Sequence, residues 1–163
     1  AAGINKRVPT VDYEEEDWNK IVDVNMKSVF MLSQLVGSYM KEQESGKIIS
    51  IASMDGYIGA TTGVIYGMTK AAVIHMTKVL AIEWGKYNIN VNAIGPGYVK
   101  TQITAEKLAN PEYMKYVMDR SPIKRIGTFE DMVGATVFLA SEASDFMTGQ
   151  TLLVDGGMTI FGY

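Results

Sequence analysis

Apolar residues follow a helical period in three stretches of the chain and a strand-like pattern in three others. From Glu14 to about Gln43 they recur near the helical period behind an acidic opening, which predicts a long amphipathic helix. Two more helical patterns run from about Gly63 to Tyr87 and over residues 129–143, FEDMVGATVFLASEA. Three short β-branched runs, KIISIAS, INVNAIGPG and GQTLLVDGG, predict buried strands between and after these helices.

The alternation of helices with buried-type strands predicts an α/β fold, a parallel sheet covered by helices on both faces. No internal repeat or linker divides the chain, so we expect a single domain. Ligands of such sheets bind beyond the carboxyl ends of the strands. Ser53 follows the first strand, Pro96 and Gly97 follow the second, and a polar, mobile-looking segment over residues 101–128 comes next. We therefore expect a functional site at this edge.

Composition narrows the function classes. The 163 residues are 47% hydrophobic and carry a net charge of −3 without Lys/Arg clusters, which favours small-molecule or protein partners over nucleic acid. No apolar run is long enough to span a membrane, and no signal peptide is visible. The absence of Cys suits a cytoplasmic enzyme, and a cytoplasmic location is expected. Because Cys is absent and His75 is the single histidine, we expect no disulfide, no metal site and no Ser-His-Asp triad.

One helical turn separates a phenol, Tyr66, from an ammonium group, Lys70, where a Gly- and Thr-rich loop becomes a helix. An unperturbed phenol has a pKa of about 10, and a nearby positive charge favours its ionised form. Ser53 could donate to a reacting oxygen at the same edge. Asn25 falls on the apolar face of the first helix and could organise a proton path to Lys70. The four residues could together perform acid–base chemistry.

Each of these residues also has an ordinary structural explanation. Tyr66 and Lys70 could be an amphipathic pair, and Ser53 a hydroxyl that caps a turn. Asn25 could be a buried amide bonded to neighbouring backbone. His75 is expected at a solvent-exposed or interface position. The spacing of the residues alone leaves both sets of explanations open.

Together, the motifs resemble the classical short-chain dehydrogenase/reductase family. Asn25, Ser53, Tyr66 and Lys70 are similar to its N…S-x12-Y-x3-K tetrad. The opening AAGI resembles the family's N-N-A-G motif, with Ala1 in place of the second Asn. The blocks VNMKSVF, IISIAS, NVNAIGPGYVKT and TGQTLLVDGG also resemble family blocks, in family order. The resemblance covers the whole chain.

The resemblance implies an oxidoreductase that uses NAD or NADP. It implies that Tyr66 donates and accepts the proton, and that Lys70 lowers the pKa of Tyr66 and bonds the nicotinamide ribose. It also implies that Ser53 positions the substrate oxygen and that Asn25 maintains a proton relay. Further cofactor contacts are implied at the matching positions Gly3, Pro96, Gly97, Val99 and Thr101. The segment that follows, to about Ile126, matches the family's mobile substrate lid.

One element of a dinucleotide site has no counterpart in the sequence. No G-x-G-x-x-G turn precedes the tetrad, and the series Gly56, Gly59 and Gly63 has the wrong spacing to replace it. We therefore interpret residues 1–163 as the carboxyl-terminal portion of a single Rossmann-type domain, with its amino-terminal strands absent. On that interpretation the chain alone should neither bind NAD(P) measurably nor catalyse a reaction, and the KIISIAS strand should have an unpaired edge. The sequence does not distinguish NAD from NADP.

The substrate is predicted by resemblance to one branch of the family. AGINKR, PGYVKTQIT and ASDFMTGQTLLVDGGMT look closest to the sugar and sugar-acid ketoreductases, which include gluconate 5-dehydrogenase. Two alternatives stay open: an enzyme similar to 3-oxoacyl carrier-protein reductase, and an inactive fragment that serves as an assembly module. Arg125 could anchor a substrate carboxylate, although the family commonly has Arg there for structural reasons.

The family resemblance and an apolar surplus on two helices also predict a homo-oligomer, either a dimer or a tetramer. The surplus includes Met26, Phe30, Val73 and Met76.

Overall fold

The computed structural model describes residues 3–161, apart from the side chains at positions 102, 103 and 106. The Ala1 position of the AAGI motif lies outside the described residues. Seven main helical or π-helical segments are α1 Glu15–Val22, a π-helical turn Asp23–Lys27, α2 Ser28–Gln43, α3 Val64–Trp84, α4 Gln102–Leu108, α5 Pro111–Asp119 and α6 Glu130–Ala140. The strands are β1 Gly46–Ile51, β2 Ile89–Pro96 and β3 Thr151–Val154.

The three strands form one parallel sheet in the order β1-β2-β3. Gly46 lies opposite Ile89 at one end of the first pair, and Ala93 lies opposite Thr151 in the second. Because the strands are parallel, their carboxyl ends meet at a single edge. Within residues 3–161, β1 pairs with β2 alone, so its other side is an unpaired sheet edge, as the sequence predicts.

Helices cover both faces of the sheet, which confirms the predicted α/β fold. Apolar side chains of β2 pack with α3 on one face: Ile89, Val91 and Ala93 from the strand, and Val73, Ile74, Leu80, Ala81 and Trp84 from the helix. The alternating polar residues Asn90 and Asn92 donate to the backbone of Met147, in the loop after α6. The alternation follows from the pleat of a strand, which points successive side chains to opposite faces.

The predicted first helix is present but not regular. The turn Asp23–Lys27 is π-helical, and it separates α1 from α2 without a break in the chain direction. Single π-helical turns inside α-helices are often found at functional sites. Asn25, a candidate site residue, lies in this turn and is fully buried.

The polar segment 101–128 contains regular secondary structure that the hydrophobic pattern does not predict. It contains α4 and α5, and Asn110 caps α5 by accepting hydrogen bonds from the backbone N–H groups of Glu112 and Tyr113. Pro111 at the first helical position suits this start. Among the described helices, none is both long and apolar enough to cross a membrane.

Candidate active site

Ser53 lies just beyond the carboxyl end of β1. The strand's pairing extends to Ala52, whose N–H donates to the carbonyl of Ile94 on β2. The Ser53 side chain then accepts a hydrogen bond from the backbone N–H of Asp55, over 3.1 Å. This bond fixes the hydroxyl at the mouth of the sheet, where it can still donate its own proton.

Tyr66 lies in the first turns of α3, directly across from this edge. Gly63 precedes the helix with a φ of +92°, a left-handed conformation that favours glycine. Gly63 is therefore needed for the backbone conformation that joins the loop to α3. Gly56 serves packing, because an added Cβ would lie 2.6 Å from the side chain of Ile74. The prediction that this glycine series is not a phosphate-binding turn is consistent with these contacts.

Lys70 follows Tyr66 by one turn and is 4% exposed. Its ammonium nitrogen lies 5.6 Å from the centroid of the Tyr66 ring and donates to the carbonyl of Ile51, at the end of β1, over 2.8 Å. An ammonium group has three donor hydrogens. Burial lowers the pKa of Lys70 to about 8, because the charged form loses its hydration.

The protonation of Tyr66 differs from the sequence-based expectation. We expected Lys70 to lower the pKa of Tyr66, but the pKa is raised, chiefly because burial disfavours the phenolate. A side-chain hydrogen bond with Ser53 acts in the opposite direction, while the charge of Asp55 raises the pKa and that of Arg7 lowers it. Lys70 is not among the groups that shift this pKa, and its ammonium group donates to the carbonyl of Ile51.

Asn25 links the start of the described chain to α3. Its amide group accepts from the N–H of Ile4 at 2.9 Å and donates to the carbonyl of Ile4 at 2.8 Å. It also lies 3.4 Å from the hydroxyl of Thr69, which donates to the backbone carbonyl of Tyr66. The buried amide is therefore bonded to backbone, as its ordinary explanation predicts, and it is connected to the helix that carries Tyr66. The relay role stays a prediction.

A cavity of about 270 Å³ opens beside Ser53 and Tyr66. Its charged and polar wall is formed by residues from several elements: Asn5, Arg7, Ser53, Asp55, Tyr66, Tyr98, Thr104, Lys107 and Tyr113. Gly97 and Met54 complete the lining. The cavity volume suits a small polar molecule, which would contact the hydroxyl groups of Ser53 and Tyr66.

Comparison with known proteins decides the family. Residues 1–159 match the family model described as enoyl-(acyl carrier protein) reductase. The chain is 44% identical over 157 residues to a 2-dehydro-3-deoxy-D-gluconate 5-dehydrogenase from Dickeya dadantii, a match covering 96% of this chain and 62% of that protein. It is 40% identical over 159 residues to the 5-keto-D-gluconate 5-reductase of Escherichia coli, covering 98% and 63%.

The structural comparison agrees. A gluconate 5-dehydrogenase from Burkholderia cenocepacia, crystallised with NADP and tartrate, superimposes with a TM-score of 0.96 at 38% identity, over 98% of this chain and 62% of that one. The chain belongs to the short-chain dehydrogenase/reductase family. It spans less than two thirds of the length of these relatives.

The positions that the family resemblance assigns to the nicotinamide end lie at or near the carboxyl edge of the sheet. Pro96 ends β2, and Gly97 donates to the carbonyl of Val154 on β3. An added Cβ at Gly97 would lie 2.7 Å from the Cα of Asp155, so packing alone requires this glycine. Val99 is buried and bridges to Gly127.

The two remaining positions have structural partners of their own. Thr101 caps α4 in reciprocal hydrogen bonds with Thr104. An added Cβ at Gly3 would lie 3.8 Å from the Asn25 side-chain oxygen, an ordinary contact. Neither residue lines the cavity that contains Ser53 and Tyr66.

The described residues fit one end of a dinucleotide cofactor. Within residues 3–161, Lys70 Nζ makes a single hydrogen bond, to the carbonyl of Ile51. Its two remaining donor hydrogens suit the ribose hydroxyl groups of a bound cofactor. The 163-residue sequence contains no G-x-G-x-x-G turn to hold a pyrophosphate. The residues present therefore suit the nicotinamide end of a family cofactor and not its adenosine end.

Sequence reasoning missed Arg7 and Asp55. Their side chains form a largely buried ion pair in the cavity wall, with an Nη2–Oδ2 distance of 2.9 Å. Arg7 also donates to the carbonyl of Thr62. Because 48 residues separate the partners, no local pattern predicts the pair. Arg125, in contrast, pairs with Asp131 through two hydrogen bonds of 2.6 and 2.7 Å, which favours its structural explanation.

Proposed function

We propose that the protein is an NAD(P)-dependent oxidoreductase that interconverts a secondary alcohol and a ketone. The observation that carries the proposal is the shared cavity of Ser53 and Tyr66, with the buried Lys70 one turn along α3 from the phenol. When bound, the nicotinamide cofactor supplies or accepts the hydride. Membership of the short-chain dehydrogenase/reductase family supports this reaction class.

In this proposal Tyr66 moves the proton of the reacting oxygen, and Ser53 holds that oxygen by a hydrogen bond. The backbone N–H of Asp55 orients the Ser53 hydroxyl group to hold that oxygen. Lys70 holds the ribose of the bound cofactor through its ammonium group, whose positive charge favours the ionised form of Tyr66. Asn25 keeps the segment around Ile4 in register with α3. Gly3, Pro96, Gly97, Val99 and Thr101 complete the nicotinamide end.

We further propose that the substrate is a sugar, polyol or sugar acid such as gluconate or 5-ketogluconate. The names of the relatives support this class, and so does the polarity of the cavity wall. Ser53, Tyr66, Thr104, Asn5 and Arg7 all line the cavity. A wall with several hydroxyl and amide groups suits a small polyhydroxylated molecule better than an apolar chain.

A 3-oxoacyl carrier-protein reductase remains the second candidate. The matching family model carries an acyl carrier protein reductase description, and it is this observation that favours the alternative. The polar, small cavity argues against an acyl chain. The third possibility, an inactive fragment in an assembly, is supported by the unpaired side of β1.

A substrate panel separates these candidates. Full-length protein is assayed with NADH and NADPH against 5-ketogluconate, fructose, sorbose and acetoacetyl thioesters. We expect reduction of 5-ketogluconate or a related ketose. Activity confined to the thioesters would support the second candidate, and no activity with any of these substrates would favour the assembly module.

We also propose a cytoplasmic homo-oligomer, either a dimer or a tetramer. The face that supports it lies on α2, where exposed apolar residues include Phe30, Met31, Leu32, Leu35 and Tyr39. Ile82 on α3 is also exposed. Val73, which the sequence analysis counted in this surplus, is fully buried against the sheet and belongs to the core.

A further inference from the structure

The cavity wall contains an ion pair that the proposed chemistry does not use. Arg7 and Asp55 join the segment near the start of the chain to the loop after β1. Their side chains are 16% and 8% exposed, so water screens the pair only weakly. Arg7 is further held by the carbonyl of Thr62, near the start of α3. The guanidinium group therefore has a fixed position.

The pair lies next to both hydroxyl groups of the proposed site. Asp55 holds the Ser53 side chain through its backbone N–H, at 3.1 Å. Arg7, Asp55, Ser53 and Tyr66 line one cavity. Opposite charges at fixed positions beside a phenol act on its ionisation in opposite directions.

We propose that Arg7 and Asp55 are positioning residues that balance each other's charge beside Tyr66 and so set the pH range in which Tyr66 exchanges its proton. The inference rests on the proposed function, because it assigns the pair a task in the proton step. Asp55 raises the pKa of Tyr66 and Arg7 lowers it, so the two effects oppose each other in the intact pair. Loss of either partner leaves the charge of the other uncompensated.

Other charged or titratable groups also face this region. Lys70 lies on the same helix as Tyr66, and Lys107 on α4 lines the cavity. Tyr98 and Tyr113 line it from the end of β2 and from α5. All four remain unchanged in variants of the pair. A difference between those variants therefore reports on Arg7 and Asp55.

The test is a direct titration of Tyr66 in the full-length protein. Tyrosines are labelled with ¹³C at Cζ, and the Tyr66 signal is assigned by its absence in Tyr66→Phe. We expect Arg7→Met to raise the pKa of Tyr66 and Asp55→Asn to lower it, each by about one unit. The double variant should return close to the wild-type value. Shifts of opposite sign are not expected from a merely structural loss.

Matched controls come from an exposed ion pair in the same segment. Lys6 and Asp17 pair at 2.6 Å but do not line the cavity, so Lys6→Met and Asp17→Asn should leave the titration of Tyr66 unchanged. Arg7→Lys, which keeps the charge, should retain most of the wild-type value. If Arg7→Met does not fold, the downward shift in Asp55→Asn still decides the matter. No shift in that variant, or shifts of the same sign in both, would overturn the inference.

Kinetics separate this inference from the proposed function. Alcohol oxidation needs the phenolate of Tyr66, so its rate should begin to rise at higher pH in Arg7→Met and at lower pH in Asp55→Asn. A protein that shows both shifts by resonance but oxidises or reduces no substrate would contradict the proposed function and support the charge-balancing pair. If the variants turn over substrate but neither their pH–rate profiles nor the titration of Tyr66 is shifted, the proposed function is supported and the charge-balancing pair is contradicted.

Discussion

Lys70 is a proposed functional residue whose burial is unfavourable for stability. Its ammonium group is buried and makes one hydrogen bond within the described residues, so the folded protein carries a poorly hydrated charge. The sequence analysis proposed Lys70 and Tyr66 as a functional pair from their spacing together with the family resemblance. It could not predict that the ammonium group bonds the carbonyl of Ile51, because that contact depends on how α3 packs against the end of β1.

The buried charge predicts a pH-dependent stability. The pKa of Lys70 is lowered from 10.5 to about 8, so the unfolded chain binds more protons between these values, and wild-type stability should rise with pH across that window. Relative to Lys70→Met, the wild type should gain up to about 3 kcal/mol between pH 7 and pH 10.5. Urea unfolding at both pH values measures this difference. Lys78→Met, at an exposed position on the same helix, is the control and should show no such gain.

Some residues of the candidate site match a sequence motif, and others do not. Asn25, Ser53, Tyr66 and Lys70 could be proposed from the sequence because their order and spacing resemble a family motif. Arg7 and Asp55 form their ion pair only after the chain folds, so the sequence contains no signal for it.

At the scale of elements, hydrophobic periodicity predicted the three strands and the three longest helical stretches. Periodicity failed in the segment 101–128, where α4 and α5 are short and begin at the caps Thr101 and Asn110. It also could not predict the π-helical turn at Asn25, because the pattern from Glu14 to about Gln43 was interpreted with a single helical period.

A hydrogen bond between two tyrosines connects the segment 101–128 to the end of β2. The hydroxyl groups of Tyr98, after β2, and Tyr113, on α5, lie 2.7 Å apart, and the rings meet edge to face. Burial and this bond raise the pKa of Tyr98, so its hydroxyl group stays protonated at neutral pH. Apolar packing of Met54, Leu108, Val117 and Met158 lies around the contact. The contact therefore holds α5 over the cavity.

We expect Tyr98→Phe to loosen α5 selectively. Loss of one hydrogen bond, worth about 1 kcal/mol, should speed amide hydrogen exchange in Pro111–Asp119 about five-fold and leave Val64–Trp84 unchanged. Adding Tyr113→Phe should produce little further change, because the bond is already lost. Tyr39→Phe, on the exposed face of α2, serves as the control. Equally faster amide hydrogen exchange in α3 and α5 would contradict a contact that stabilises α5 alone.

At the scale of the whole molecule, the exposed apolar face of α2 and the unpaired side of β1 are surfaces that the described residues do not cover. Leu32 is 62% exposed, which is costly for a large apolar side chain beside others of its kind. The family and fold could be recognised from sequence because their motifs cover the whole chain. The oligomeric state could not, because apolar excess on a helix does not separate core residues such as Val73 from surface residues.

If α2 forms the subunit contact, charge on its apolar face should separate the subunits. Full-length protein at micromolar concentration should scatter light as a dimer or tetramer, and Leu32→Glu with Leu35→Glu should reduce its mass to that of a monomer. Val11→Glu, at an exposed apolar position away from α2, should leave the mass unchanged. A monomeric wild type would contradict the proposed oligomer.

The 163 residues by themselves should not bind NADH or NADPH measurably. The sequence offers no Gly-rich turn whose N–H groups could offset the desolvation of a pyrophosphate, so only the nicotinamide end has contacts. Calorimetric titration of the isolated chain measures this, with the full-length protein as the positive control. Stoichiometric binding to the isolated chain would show that the phosphate contacts lie within these residues.

The central claim is that Tyr66 moves the proton in a reaction on a sugar or sugar acid. The most direct test measures NADPH-dependent reduction of 5-ketogluconate by full-length Tyr66→Phe, together with the affinity of that variant for NADPH. Because the substitution removes only the hydroxyl group, turnover should fall at least about a hundred-fold while cofactor affinity stays close to that of the wild type. Turnover similar to that of the wild type in Tyr66→Phe would contradict the account.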